Sequence, residues 1–331
     1  MRNGRSVLTR RQLMAVIAAG AAICALPSVA SQPLRVGSLR FGSVNWLLHT
    51  IEAQHLDAQA GLEMERVDFA SNQASTIALL GDSVDMIVSD WLWALRQRAE
   101  GEKLLFYPYS SALGAILAPP DSEIGGLSDL AGKRIGVAGS ALDKSWLLLR
   151  AHLRQDYDFD PAEDARPFYG APPLLSEQLR MGRLDALLTY WNFAARLEAE
   201  GYRVIAEVAD VLHALDLDPA PPLVGFVWRD QEERSDQIAA FFRAVEEAQH
   251  LLLHDDDVWE GLRPLMRIER PGDFKALRAR YRAGVPDPWD AAHQQAARKL
   301  FDLLGHLGGE QLIGPMTTFD SKLFVPSKGR Q

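Results

Sequence analysis

The stretch LAGKRIGVAGSALDKSWLLLRAHL, Leu130–Leu153, decides the fold. Gly132 and Lys133 read as a turn that delivers the chain into a short apolar strand, Arg134–Val137. Ala138–Gly139–Ser140 reads as a second turn, and the run through Leu153 as a helix. Strand, glycine-bearing loop and helix in that order make one unit of an α/β sheet. Working outward, the order recurs. Upstream, Leu34–Ser38 is a strand followed by the loop Phe41–Trp46 and a helix through about Ala60. Leu62–Val67 and Asp85–Val88 are further strands, alternating with helices at Asn72–Leu80 and Asp90–Ala99. Lys103–Tyr109 and Ala112–Ala118 add two more apolar runs. Downstream, strands at Arg166–Tyr169, Ala186–Thr189 and Tyr202–Glu207 enclose helices at about Pro173–Met181 and Phe193–Glu200.

Asp216–Pro222, rich in Pro and Asp, reads as a passage out of the second unit, and Leu223–Trp228 as one more strand. Beyond Gln231 the pattern is helical: Ser235–Leu253, Asp256–Met266, Gly272–Ala283 and Pro288–Gly305. The spacing of Ile238, Phe241, Phe242 and Val245 suits an amphipathic helix. One lobe is therefore expected to be discontinuous, 33–112 with 218–331, around a second lobe of 113–217, with two connecting segments as the hinge.

The first 30 residues read as an export leader. Arg2 and Arg5 precede Thr9–Arg10–Arg11–Gln12–Leu13–Met14, an apolar run extends to Pro27, and Ser28–Val29–Ala30 has the small residues of a cleavage site. The paired arginines point to the Tat route. The single cysteine, Cys24, lies in this leader, so no disulfide or thiol ligand is expected in the mature chain. The whole chain carries a formal charge of -9. Losing the leader's arginines makes it more acidic, which disfavours nucleic acid and anionic lipid. No later stretch resembles a membrane helix.

Four segments carry a resemblance: Leu34–Ser38 with Asn45–Trp46, Ala78–Asp85 (ALLGDSVD), Leu127–Val137 (LSDLAGKRIGV) and Leu179–Ala186 (LRMGRLDA). In this order and at these separations the chain resembles the periplasmic binding proteins of the nitrate, sulfonate and taurine type, together with those similar to thiamine-precursor-binding proteins. The resemblance covers nearly the whole mature chain. It implies a bilobal, type II-like α/β fold with two mixed, largely parallel sheets, periplasmic location, and docking to the permease of an ABC importer. A monomer is the expected state.

The loops at strand ends supply the candidate ligand-binding residues: Asn45, Trp46, Asp90, Trp91, Trp93, Tyr109, Ser110, Ser140, Lys144, Trp146, Tyr190, Trp191 and Asn192. Tryptophans repeatedly placed beside strand ends suggest an aromatic-lined pocket, although scattered core tryptophans satisfy the same count. At Gly139–Trp146, free amides and Ser140 would receive an anionic group, Lys144 would add charge and Trp146 would pack on an organic skeleton. A serine cap, a solvent-facing lysine and a core tryptophan explain the same residues. Asp90 serves equally as a helix cap.

Catalytic signatures are missing: there is no Gly-x-Ser-x-Gly, no His-Glu-x-x-His and no cysteine nucleophile. His250 and His254 share a helical face next to Asp255–Asp257 but lack a third ligand, so no metal is expected. Capture of a small organic anion with a planar part is the expected function, with pyrroloquinoline quinone as the specific candidate and no cofactor required. Sulfonates, aromatic carboxylates, thiamine precursors and an accessory role beside a quinoprotein dehydrogenase are the alternatives.

Overall fold

The computed structural model describes residues 32–40, 42–316 and 318–325. The expected leader, Tat motif and cleavage site lie outside the described residues. The elements in chain order are β1 (Leu34–Leu39), α1 (Val44–Ala53), α2 (Leu56–Gln59), β2 (Met64–Phe69), α3 (Asn72–Leu80), β3 (Met86–Asp90), α4 (Trp91–Ala99), β4 (Leu104–Ser110), β5 (Ala115–Ala118), β6 (Arg134–Ala138), α5 (Lys144–Tyr157) and β7 (Arg166–Gly170). They continue as α6 (Pro172–Arg180), β8 (Ala186–Thr189), α7 (Trp191–Ala199), β9 (Arg203–Glu207), α8 (Val208–Ala214), β10 (Val224–Arg229), α9 (Ser235–His254), α10 (Asp257–Met266), α11 (Asp273–Ala283) and α12 (Ala291–Ile313).

Two five-stranded sheets result, ordered β2-β1-β3-β10-β4 and β7-β6-β8-β5-β9. In each, three strands run parallel and one strand enters antiparallel between the parallel set and the far edge. The fold is bilobal α/β, with two mixed, largely parallel sheets flanked by helices. The chain passes from the first sheet to the second between Ser110 and Ala115, and returns between Ala214 and Val224. Central strands such as Ala115–Ala118 and Ala186–Thr189 are buried along their whole length, as a sheet covered on both faces requires.

The two sheets share a fastening. Arg35, at the start of β1, clasps Asp85 just before β3, with Nη2 to Oδ1 at 2.7 Å and Nε to Oδ2 at 3.1 Å. Arg134, at the start of β6, clasps Asp185 just before β8, at 2.6 and 3.1 Å through the same atoms. In both, the aspartate also accepts from the arginine's backbone N–H, at 2.9 and 2.7 Å. Burial alone would raise the Asp85 carboxyl, but the Arg35 hydrogen bonds outweigh it and hold it below the usual range. Hydrogen bonds from Arg134 do the same for Asp185. The turn before each aspartate needs one residue with positive φ: Asp82 (φ 54) in the first sheet and Gly182 (φ 67) in the second.

Two local departures from the sequence reading have physical causes. The helix expected through Ala60 is interrupted at His55, whose φ of 53 separates α1 from α2. Helix α8 was not expected, being short and lacking a side-chain cap at Glu207. Among the described residues, no helix is long and apolar enough to cross a membrane.

Candidate functional site

The carboxyl ends of β1, β3, β6 and β8 open on one cavity of about 560 Å3, lined from both sheets. Ligands of open α/β sheets bind at these strand ends because the following helices present their N-termini there. Residues at or beside the first turns of α1, α3, α4, α5, α6 and α7 line this cavity, so six helix N-termini converge on it.

The six mouths are not equivalent. Asp90 caps α4 by accepting from Trp93 N at 3.0 Å, and Asp143 caps α5 by accepting from Trp146 N at 3.2 Å. Ser71 caps α3 through Ala74 N. Helix α6 opens with Pro172 and Pro173, which have no N–H to offer. The remaining two, α1 behind Ser43 and α7 behind Tyr190, have no side-chain cap. At α7, Phe193 N and Ala194 N bond to Tyr190 O, whereas the amides of Trp191 and Asn192 have no backbone partner among the described residues. These two mouths lie on opposite lobes and turn the positive end of a helix dipole to the cavity; at α1 the amides of Asn45, Trp46 and Leu47 already bond to Gly42 O and Ser43 O, so the pair of first-turn amides without a backbone partner is the one at α7.

Charge at the site is sparse and mostly internal. Lys144 Nζ stands 3.6 Å from Asp90 Oδ2, joining the two lobes beside the cavity. Burial pushes the Asp143 carboxyl up, against the opposing pull of the Trp146 amide and the Lys144 charge. The Tyr190 hydroxyl faces Asp143, and burial with that neighbouring charge pushes it up to about 12. Gly139 keeps this corner open: its φ is +98, and a Cβ there would come within 3.0 Å of the Tyr190 hydroxyl.

The structure brings Asp90, Tyr109, Ser110, Lys144, Tyr190, Trp191 and Asn192 to the cavity wall. The other sequence candidates lie elsewhere. Asn45 is buried beneath the loop, accepting from Ser38 Oγ at 2.8 Å and donating to Leu39 O at 2.5 Å. Trp46 packs with Trp259 and Tyr281, ring centroids 5.8 Å away in each case. Trp91 is 0% exposed against Phe319 and Phe324, and Trp93 packs beside the same cluster. Trp146 is 0% exposed in the core. Ser140 Oγ accepts from Leu142 N at 3.2 Å, outside the lining. The Gly139–Trp146 entrance thus has its amides engaged by Asp143 and its tryptophan in the core, while Lys144 reaches the cavity.

Trp191 does more than line the wall. It projects from α7 against Trp46 at a 6.0 Å centroid separation, seating one lobe's helix in the other's aromatic cluster. Sequence reasoning missed Ser43, Asn72, Ser75, Phe193 and Val224 in the lining. Ser43 stood in a loop already singled out, and its place before an apolar run was the available signal.

The rings of His250 and His254 lie 4.7 Å apart at a 58° tilt, and no cluster of three or more metal-ligating side chains occurs among the described residues. The cavity lining contains neither histidine nor cysteine.

No family model and no curated protein sequence matches the chain. Solved structures do. The alkanesulfonate-binding protein SsuA from Xanthomonas axonopodis pv. citri, bound to MOPS, superposes with a TM-score of 0.65 at 18% identity, covering 88% of this chain and 98% of that one. The periplasmic aliphatic sulphonate binding protein SsuA from Escherichia coli gives 0.69 at 19% identity, covering 88% and 95%. The desulfurization enzyme DSZB gives 0.58 at 16% identity, covering 85% and 96%. The fold is that of two-lobed binding proteins, and it also carries an enzyme. At these identities the likeness is one of fold, so function rests on the site.

Proposed function

We propose that this chain is the periplasmic receptor of an ABC importer, capturing a small organic anion in the interlobe cavity without transforming it. The observation that carries the reading is the pair of uncapped helix mouths, α1 on one lobe and α7 on the other, facing a single cavity. A ligand whose acidic group meets the positive helix ends of both lobes favours the closed arrangement by the difference in contacts it makes there. Tyr190 and Trp191 offer flat faces for an organic skeleton. The lining's carboxylates and ammonium are turned to each other, Lys144 to Asp90, and its Asp143 caps a helix, which supports capture over turnover.

The lining's ionisable set narrows the ligand. Lys144 is its only lysine or arginine, already shared with Asp90, and Asp143 is a second carboxyl. A monoanionic sulfonate or carboxylate suits this balance better than a polyanion. Pyrroloquinoline quinone remains the specific planar candidate through Tyr190 and Trp191, but it brings three carboxyl groups to one ammonium. The lobes are proposed to divide at the crossings near residues 112 and 217. A monomer docking transiently to its permease completes the reading, and an accessory role beside a quinoprotein dehydrogenase is the alternative.

Isothermal titration of ligand-stripped protein with ethanesulfonate, benzoate and pyrroloquinoline quinone tests this. Saturable one-to-one binding by at least one, weakened in Trp191→Ala, with the ligand recovered unchanged, is the expected result. A chemically altered ligand would move the assignment to an enzyme, and no heat with any of the three would remove the anion reading.

A further inference from the structure

Beneath the mouth of α1 lie two buried phenols. Tyr109, on β4, is 3% exposed and lines the cavity; Tyr281, on α11, is 5% exposed and does not. Neither hydroxyl has a hydrogen-bond partner in satisfactory geometry among the described residues. Each hydroxyl neighbours the other, and that of Tyr109 also neighbours Ser43 at the uncapped start of α1. Otherwise the pair is set among aromatic rings: Trp46 and Trp259 lie 5.8 and 5.2 Å from Tyr281, and Phe226 lies 5.6 Å from Tyr109. A buried hydroxyl without a partner is costly, so such a pair persists where something outside the protein completes it.

We propose that the acidic group of the ligand is received at this corner, by the O–H groups of Tyr109 and Ser43 at the mouth of α1, with Tyr281 as a positioning residue acting through Tyr109. The inference rests on the anion reading above and specifies its subsite. Two adjacent phenols can satisfy each other only in part, because one donates and the other keeps a free O–H. If Tyr109 donates to Tyr281, the free O–H is Tyr281's, shut among rings with no acceptor. If Tyr281 donates to Tyr109, the free O–H is Tyr109's, buried just behind the cavity wall that this residue helps to form. An acceptor brought by a ligand selects the second orientation, and the first donation polarises the second. Both groups remain protonated donors at neutral pH, since burial pushes Tyr109 up to about 12 and Tyr281 well above the ordinary phenol value.

This corner is neutral, as the cavity's one ammonium, Lys144, is turned to Asp90. Recognition by hydroxyls and a helix dipole discriminates by the ligand's acceptor geometry rather than by its total charge, and depends weakly on ionic strength.

The test is titration calorimetry with ethanesulfonate and benzoate on the full chain and on Tyr109→Phe, Tyr281→Phe and the double variant, with melting curves for each. Tyr109→Phe should weaken binding at least about tenfold, because a hydrogen bond to a charged group is lost. Tyr281→Phe should weaken it a few-fold, and in the Tyr109→Phe background should cost nothing further. Melting temperatures should hold, since each change deletes one hydroxyl of a pair that satisfies itself only in part; Ser43→Ala is the second probe of the same corner if a phenylalanine variant misfolds. Parent-like affinity in Tyr109→Phe, or fully additive losses in the double variant, overturns the subsite while leaving anion capture intact. A parent that binds neither probe nor pyrroloquinoline quinone removes both.

Discussion

Tryptophans show what residue type can and cannot disclose. Trp46, Trp91, Trp146 and Trp191 all sit beside strand ends in the sequence, yet only Trp191 reaches the cavity wall. The difference is orientation. A residue one turn into a helix faces the ligand or the core according to a rotation of about 100° per residue, which composition does not report. Trp146, 0% exposed with its ring against Tyr169 at 6.2 Å, is on the core side. Trp146→Ala should therefore cost about 3–5 kcal/mol of folding stability, read by urea denaturation, while the folded fraction binds as the parent does. A loss below about 1 kcal/mol would count against this placement. Tyr281 illustrates the opposite limit, since nothing in its helical surroundings distinguishes it from any other buried aromatic.

Elements were far more readable than orientations. The segments ALLGDSVD and LRMGRLDA each end a helix, turn on one left-handed residue and deliver an aspartate to an arginine at the start of a neighbouring strand. The long-range pairing of Arg35 with Asp85 and Arg134 with Asp185 needed the register of the sheets. A similar fastening ties α5 to the loop before β7. Asp160 accepts from Arg150 at 2.9 and 3.0 Å, from Ala162 N at 3.0 Å, and from Arg154. Burial pushes this carboxyl up, but the Arg150 hydrogen bonds and the Ala162 amide outweigh it and bring it down to about 2. The folded pKa is thus depressed, so the contribution is complete above about pH 4 and is lost as pH falls through about 2. Asp160→Asn should remove about 2 kcal/mol at neutral pH and flatten the acid limb between those values, as followed by denaturant midpoints against pH. An unchanged acid limb would show the pair to be energetically idle.

At the scale of the molecule, the sheet pattern announced two lobes but not how tightly they are joined. One apolar cluster contains Ile87 and Phe106 of the first sheet, Ile116, Val137 and Leu188 of the second, and Leu300 and Phe301 of α12. Across another contact α11 lies on α7, with Arg280 paired to Glu198 and Glu207 at 2.6 Å each, Arg196 to Asp273 at 3.0 Å and Arg270 to Glu200 at 2.8 Å. The helices approach closely at Gly272, where a Cβ would stand 3.0 Å from that of Ala199. A shared core makes the lobes one cooperative unit. Scanning calorimetry should show a single transition with matching calorimetric and van't Hoff enthalpies, and two resolved transitions would refute the shared-core account.

That clasp between α7 and α11 also sets a tempo. The helix whose first turn faces the cavity is the one whose last turns are held by Arg280, Arg270 and Asp273. Under the proposed receptor function, letting a captured molecule go by parting the lobes means breaking those ion pairs together and drawing Trp191 from beside Trp46. The barrier to departure then belongs to the protein's own seam rather than to the ligand's few contacts. On that proposal, chemically different guests would leave at similar slow rates, and the proposed permease, pulling on α11, would hasten them all alike.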